Sequence, residues 1–205
     1  MVEKARSATR PRLSSEESRA MIIKAADSLL RNGPYRDLSV ELVMNEAGLS
    51  RTIFYRHFDD MPGLVIELLR GLGADVDRAT RELVQLENES VSAATVRSAM
   101  AIWVDFFQRH GTLLRGVAEG AGVDEEIELA YDRVRRHFSV VVAEGLRRLS
   151  KAGRLDGMDP DSVAEALNVM NERYLLRTLG REPQEDPQAV VETLSLIWIR
   201  TLQLG

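Results

Sequence analysis

The chain has 205 residues, 44% of them hydrophobic and 29% charged, with a net charge of −5 and no cysteine. Its length suits one large or two modest cores. The missing thiols exclude disulfides and thiolate metal sites and fit a reducing cytoplasm. No apolar run reaches the ~18 residues that span a bilayer, and the polar, basic start MVEKARSATRPR lacks the apolar stretch of a signal peptide.

The charge is unevenly spread. Residues 1–12 hold Lys4, Arg6, Arg10 and Arg12 against Glu3 alone, and residues 13–205 are net acidic. Such a chain would approach a polyanion with its arm and hold its acidic body away. A short disordered basic tail would look the same.

From Pro11 onward the pattern is helical nearly throughout, with little strand-like alternation. Ser14 and Glu17 form an S-x-x-E capping box. The first helix then spans about residues 15–32, with Ile22, Ile23, Ala26, Leu29 and Leu30 on one face, and Asn32-Gly33-Pro34 stops it. Ser39 is placed to cap a second helix that runs to about Glu46. Gly48 follows, where a left-handed backbone costs little. Ser50 is placed to cap a third helix over about residues 51–57.

These two short helices and their turn have the pattern of a helix-turn-helix, whose second helix enters a DNA major groove. Phe54 and Phe58 are four residues apart and share the inward face. Arg51, Thr52, Tyr55 and Arg56 are left outward. Arg can hold guanine or a phosphate with two hydrogen bonds, and Tyr55 and His57 suit phosphate oxygens. The helix starts at Ser39-Val40 and Ser50-Arg51 offer free N–H groups to phosphate. An ordinary amphipathic helix pair with a charged solvent face fits the same periodicity.

Beyond Phe58, Asp60 and Pro62 suit the start of a long fourth helix over about residues 61–88, with Leu64, Leu68, Leu72 and Val76 as its apolar stripe. Further helices are expected at about 91–110, 112–121, 124–152, 160–180 and 187–203, punctuated by Gly and Pro. The expected fold is all-α: a three-helix head, the long fourth helix, and a helical bundle, about nine helices in all. Residues 1–14 would be a flexible arm, 15–75 the DNA-binding domain and 76–205 the body.

Trp103, Phe106 and Phe107 cluster on one body helix, and Trp198 lies near the end of another. Asn168, Asn171 and Glu172 fall on one helical side. A buried unpaired Asn is costly, and becomes useful where a bound molecule supplies its partner. Ordinary core packing, with the Asn residues bridging neighbouring helices, is the competing reading.

GLSRTIFYRHF resembles the recognition segment of the TetR family of bacterial transcriptional repressors, and the likeness extends over roughly residues 15–75. The resemblance implies a DNA-binding regulator in which Arg51, Thr52 and Ile53 reach bases while Tyr55 and His57 hold phosphates. Ile53 would touch a thymine methyl, since it cannot hydrogen-bond. One departure stands out. The family usually has a phosphate-binding Lys shortly after the Phe, and here the chain reads Asp59-Asp60-Met61-Pro62-Gly63. The basic arm, through Arg10 and Arg12, is the place where that lost contact would be recovered.

ALNVMNERYL and the later LIWIRTL resemble the C-terminal part of EthR-type members of that family. This implies a hydrophobic tunnel lined by Asn168, Asn171 and Trp198, with Trp103, Phe106 and Phe107 carried over from a looser stretch, and a small, mostly apolar effector with a hydrogen-bonding group. It also implies a homodimer through the last two helices, whose apolar residues include Val163, Leu167, Met170, Leu194, Ile197 and Leu204. A dimer would read a pseudo-palindromic DNA operator.

Two other classes compete with this reading. An all-α enzyme has thin support: three histidines, no H-x-x-x-H or E-x-x-H pair, no phosphate-binding glycine loop, and nothing that calls for a metal or a cofactor. A helical interaction protein without a DNA role is the other.

Overall fold

The computed structural model describes residues 13–87, 91–155 and 157–204. Arg10 and Arg12 of the basic arm lie outside these residues. Among the described residues there are nine α-helices and no strand: α1 Ser15–Asn32, α2 Val40–Ala47, α3 Arg51–Phe54, α4 Met61–Gly71, α5 Gly73–Glu87, α6 Ala93–Ala121, α7 Glu125–Lys151, α8 Pro160–Thr178 and α9 Pro187–Thr201. A short 3-10 turn, Tyr35–Asp37, precedes α2.

The helix starts follow local chemistry. Ser14 and Glu17 close the capping box reciprocally: the Ser14 N–H donates to Glu17 at 2.8 Å and the Glu17 N–H donates to the Ser14 hydroxyl at 3.1 Å. Ser39 accepts from the Leu42 N–H, Asp60 from Gly63, Asp124 from Glu126 and Ile127, and Asp159 from Ser162. Gly48 ends α2 with φ 66°, a left-handed conformation that a side chain would strain.

Four expectations change. Ser50 precedes α3, but its hydroxyl makes no capping hydrogen bond. The third helix is shorter than expected. It ends at Phe54, and residues 55–57 tighten into a turn in which the His57 N–H donates to the Phe54 carbonyl at 2.8 Å. That turn brings Phe58 back beside Phe54, with ring centroids 5.7 Å apart. The long fourth helix is two helices that meet at Leu72, whose neighbours Gly71 and Gly73 are both weak helix formers. Conversely, Gly111 does not break α6. It lies where a Cβ would come within 2.6 Å of the Leu179 carbonyl oxygen, so it marks a close approach of α6 to the end of α8.

The three-helix head packs around Ile22, Ala26, Leu30, Val43, Ala47, Phe54 and Phe58, all buried. It joins the body by α1 against α6 and by α4 against α1 and α7. Helix α6 is the axis of the molecule and also touches α5, α7, α8 and α9. Polar links reinforce the joint. Arg115 on α6 donates to the Gly33 carbonyl after α1 (3.2 Å) and to the Gly180 carbonyl after α8 (2.8 Å). Glu119 accepts from the Tyr35 N–H at 3.0 Å. Among the described residues, no helix is long and apolar enough to cross a membrane.

Candidate DNA-binding face and body cavity

The head presents the second half of its helix-turn-helix outward. Phe54 and Phe58 are buried, which leaves Arg51, Thr52, Tyr55 and Arg56 exposed and Ile53 half-buried. Arg51 donates to the Tyr55 hydroxyl at 3.2 Å, and its guanidinium lies 5.7 Å from that ring's centroid. One turn of helix therefore orders a cation and a phenol together on the open face. Ser39 and Ser50 are exposed and Val40 is half-buried beside them.

His57 is held from α1. Its Nε2 lies 2.8 Å from the Ser18 hydroxyl, and that hydroxyl also donates to the Ser15 carbonyl at 2.9 Å. A cleft bounded by Ser14, Ser15, Ser18, Ile53, Arg56 and His57 opens between the start of α1 and the recognition turn. Behind it, Arg19 lies 5.4 Å from the Phe58 ring centroid and pairs with Glu67 on α4 at 2.9 Å. That hydrogen bond, aided by Arg70, holds the Glu67 carboxyl below its usual range against partial burial.

The body holds a cavity of about 440 Å³ between α6, α7 and α8. Its apolar floor is aromatic. The Trp103 and Phe138 centroids are 4.5 Å apart, Phe106 and Phe138 5.4 Å, and Trp103 and Phe107 6.1 Å. Its polar groups come from α7 and α8 and include Asn168, Glu172, Arg135 and the buried Tyr131. Burial, then the charge of Glu172, pushes the Tyr131 phenol well above its usual pKa, so it stays a neutral hydroxyl. Neither amide atom of Asn168 has a protein partner, and neither does the Trp103 Nε1. Groups so placed are costly unless something pairs with them.

A smaller cavity, of about 80 Å³, lies on the far side of Trp103, which lines both. Trp198 belongs to this second space. Asn171 lines neither: it is fully buried, accepts from the Trp198 Nε1 at 3.0 Å, and sets its amide nitrogen 3.9 Å from the Met100 sulfur.

Residues 96–203 match the family model of the C-terminal domain of the transcriptional regulator EthR, more than half of the chain, and residues 22–68 match that of the bacterial regulatory proteins of the tetR family. The chain belongs to the TetR family. It carries the EthR-type body, and it is a DNA-binding transcription regulator, not an enzyme. The HTH-type transcriptional regulator EthR of Mycobacterium tuberculosis is 27% identical over 195 residues, covering 93% of this chain and 89% of that protein. The EthR of Mycolicibacterium smegmatis is 26% identical over 197 residues, covering 93% and 88%. In fold, the chain is similar to a putative transcriptional regulator from Pseudomonas aeruginosa, with TM-score 0.69, 19% identity and coverage of 94% and 93%.

In this TetR-family chain the expected site residues divide. Of the helix-turn-helix set, Ser39, Ser50, Arg51, Thr52, Tyr55 and Arg56 are exposed and Val40, Ile53 and His57 half-buried. Trp103, Phe106, Phe107, Asn168 and Glu172 gather at the larger cavity, while Asn171 and Trp198 pair with each other behind it. Sequence reasoning missed Ser18, Arg19, Tyr131 and Arg135. The last two had a signal, because Tyr131, Arg135 and Phe138 recur on one helical face of α7. Ser18 had none, since its partner is 39 residues away.

Proposed function

We propose that this regulator is a repressor that binds a pseudo-palindromic operator as a homodimer and is released by a small, mostly apolar effector. The observation that carries the DNA-facing part is the open face of the recognition turn, where Arg51, Thr52, Tyr55 and Arg56 are exposed above buried Phe54 and Phe58. Arg51, Thr52 and Ile53 read bases. Ser39, Val40, Ser50, Tyr55, Arg56 and His57 position the head on the phosphate backbone, as most protein–DNA hydrogen bonds do. Arg10 and Arg12 add phosphate contacts from the arm. Asp60 supplies none, because its carboxylate is used to cap α4.

The domain division is a head of residues 15–75 and a body of 76–205, in the cytoplasm. The dimer forms through α8 and α9. Leu167, Leu194 and Leu204 are buried within the monomer, whereas Ile197 stays exposed and Val163 and Met170 are half-buried. Val169 and Leu196 add exposed apolar surface on the same two helices. The effector occupies the cavity beside Trp103, Phe106, Phe107, Asn168 and Glu172, and favours a state in which the heads no longer match successive major grooves. Asn171 and Trp198 support that cavity from behind.

Footprinting on the DNA flanking its gene, with a randomised duplex library beside it, tests this. The expected result is a protected near-palindrome with half-sites about one helical turn or a multiple apart. Dimeric protein with no sequence preference in either experiment would overturn the proposal.

A further inference from the structure

The larger cavity carries a charge pattern that an apolar effector does not account for. Four carboxylates line it, those of Asp132, Asp161, Glu165 and Glu172, against the guanidiniums of Arg135 and Arg136. Arg135 is shared: it pairs with Asp132 and lies 3.6 Å from Glu172. Asp161 is met by Arg147 at 2.6 Å from outside the lining. One guanidinium thus serves two carboxylates, and the lining keeps a surplus of negative charge.

Burial sets Glu172 apart. Its side chain is 16% exposed, against 42% for Arg135, and Arg136 is exposed. Glu172 is therefore less exposed than either guanidinium, whereas Asp161 and Glu165 are exposed. Glu172 is one helical turn beyond Asn168, the buried amide with no protein partner on either atom. A half-buried carboxylate that shares its counterion favours an incoming positive charge, and the faces of Trp103, Phe106 and Phe138 favour one too. An anionic ligand would set like charge beside Glu172. A neutral one would leave the surplus unanswered.

On the reading that this cavity is the effector site, we propose that it takes an amphipathic organic cation. The apolar body lies against Trp103, Phe106 and Phe138, the positive charge faces Glu172 and Asp132, and a hydrogen-bonding group meets the Asn168 amide.

Three phenyl-rich probes on the full-length protein test the inference: tetraphenylphosphonium, tetraphenylborate of the same shape and opposite charge, and neutral triphenylphosphine oxide. Calorimetry should show the cation binding at least tenfold more tightly than the anion. Its affinity should fall with added salt, while that of the neutral probe holds. Glu172→Gln should weaken the cation at least fivefold and leave the neutral probe within twofold. Equal or tighter binding of the borate, or no binding of the cation, overturns the inference on the unmodified protein, without reliance on any variant's folding. A gel shift on the same samples separates the two readings. Operator affinity unmoved by saturating cation counts against the effector role of the cavity and leaves its charge preference standing.

Discussion

The His110 Nε2 stands 3.0 Å from the Asp75 Oδ2 and fastens α6 to the first turn of α5. The contact is close but poorly aligned, since neither ring nitrogen makes a directed hydrogen bond. Asp75 also meets Arg78 and Arg109, and the Phe106 ring lies 5.1 Å from His110. A wall of the cavity is thereby in contact with the helix that follows the break at Leu72.

That pair sets a pH dependence. Burial lowers the His110 pKa, and the pull of Asp75 does not offset it, with Arg109 and Arg31 adding to the lowering. The folded state therefore binds this proton less readily than the unfolded state. The His110 contribution is present above the ordinary imidazole value of about 6.5 and is lost as pH falls through it. Burial raises Asp75, but the charges of His110, Arg78 and Arg109 outweigh it and hold it low, so it titrates below this window. Scanning calorimetry at pH 7.5 and 5.5 should show a lower melting temperature at 5.5, with a smaller drop in His110→Gln. An equal drop in both would remove His110 as the cause.

Arg51→Ala should cost about 1–3 kcal/mol of operator affinity and relax preference at one base pair, if the guanidinium grips a base with two hydrogen bonds. Fluorescence anisotropy across single-base-pair variants reads this directly. A loss of the same size on every sequence would reassign Arg51 to a phosphate.

The Trp198–Asn171 hydrogen bond is buried at both ends. Trp198→Phe leaves the Asn171 oxygen without its donor and should cost about 1–3 kcal/mol from that group alone. Asn171→Leu strands the indole N–H in the same way. Because the two changes remove one interaction, the double variant should lose less than the sum of the singles, as measured by urea unfolding. Simple additivity would show that the bond contributes little.

Gly111→Ala should destabilise by about 1–3 kcal/mol, because the new methyl meets backbone of Leu179 that cannot turn aside. Gly71→Ala is the contrast. Nothing lies within 4 Å of its Cβ position, so it should stabilise by roughly 0.5–1 kcal/mol through helix propensity. Equal effects at the two sites, measured by thermal unfolding, would refute the close-approach account of Gly111.

The two glycines also show where sequence reading stops. Gly111 looks like punctuation between two helices, while Gly71 falls inside the single helix expected over about residues 61–88. Gly71 borders a true break at Leu72, whereas Gly111 lies inside the 29-residue α6. The difference is what stands opposite each one, and no local pattern records that.

Most interactions that close within four residues were legible in the chain itself, the Ser50 cap being the exception. The Ser14–Glu17 box, the Ser39 and Asp60 caps, the Gly48 turn and the inward Phe54–Phe58 pair all act over that range, so residue type and spacing determine them. Helical period groups Trp103, Phe106 and Phe107 on one helix and Asn168, Asn171 and Glu172 on one side of another, and the resemblance to EthR-type members joins them with Trp198 as one set. Their division between the larger cavity and a buried hydrogen bond was decided only by tertiary packing. Trp103 stands between two cavities, Asn168 is left unpartnered, and Asn171, three residues on, is paired to Trp198. Likewise Ser18 acts on His57, and His110 on Asp75, across 39 and 35 residues. Those contacts depend on how whole helices cross, which long-range burial sets and local periodicity does not encode.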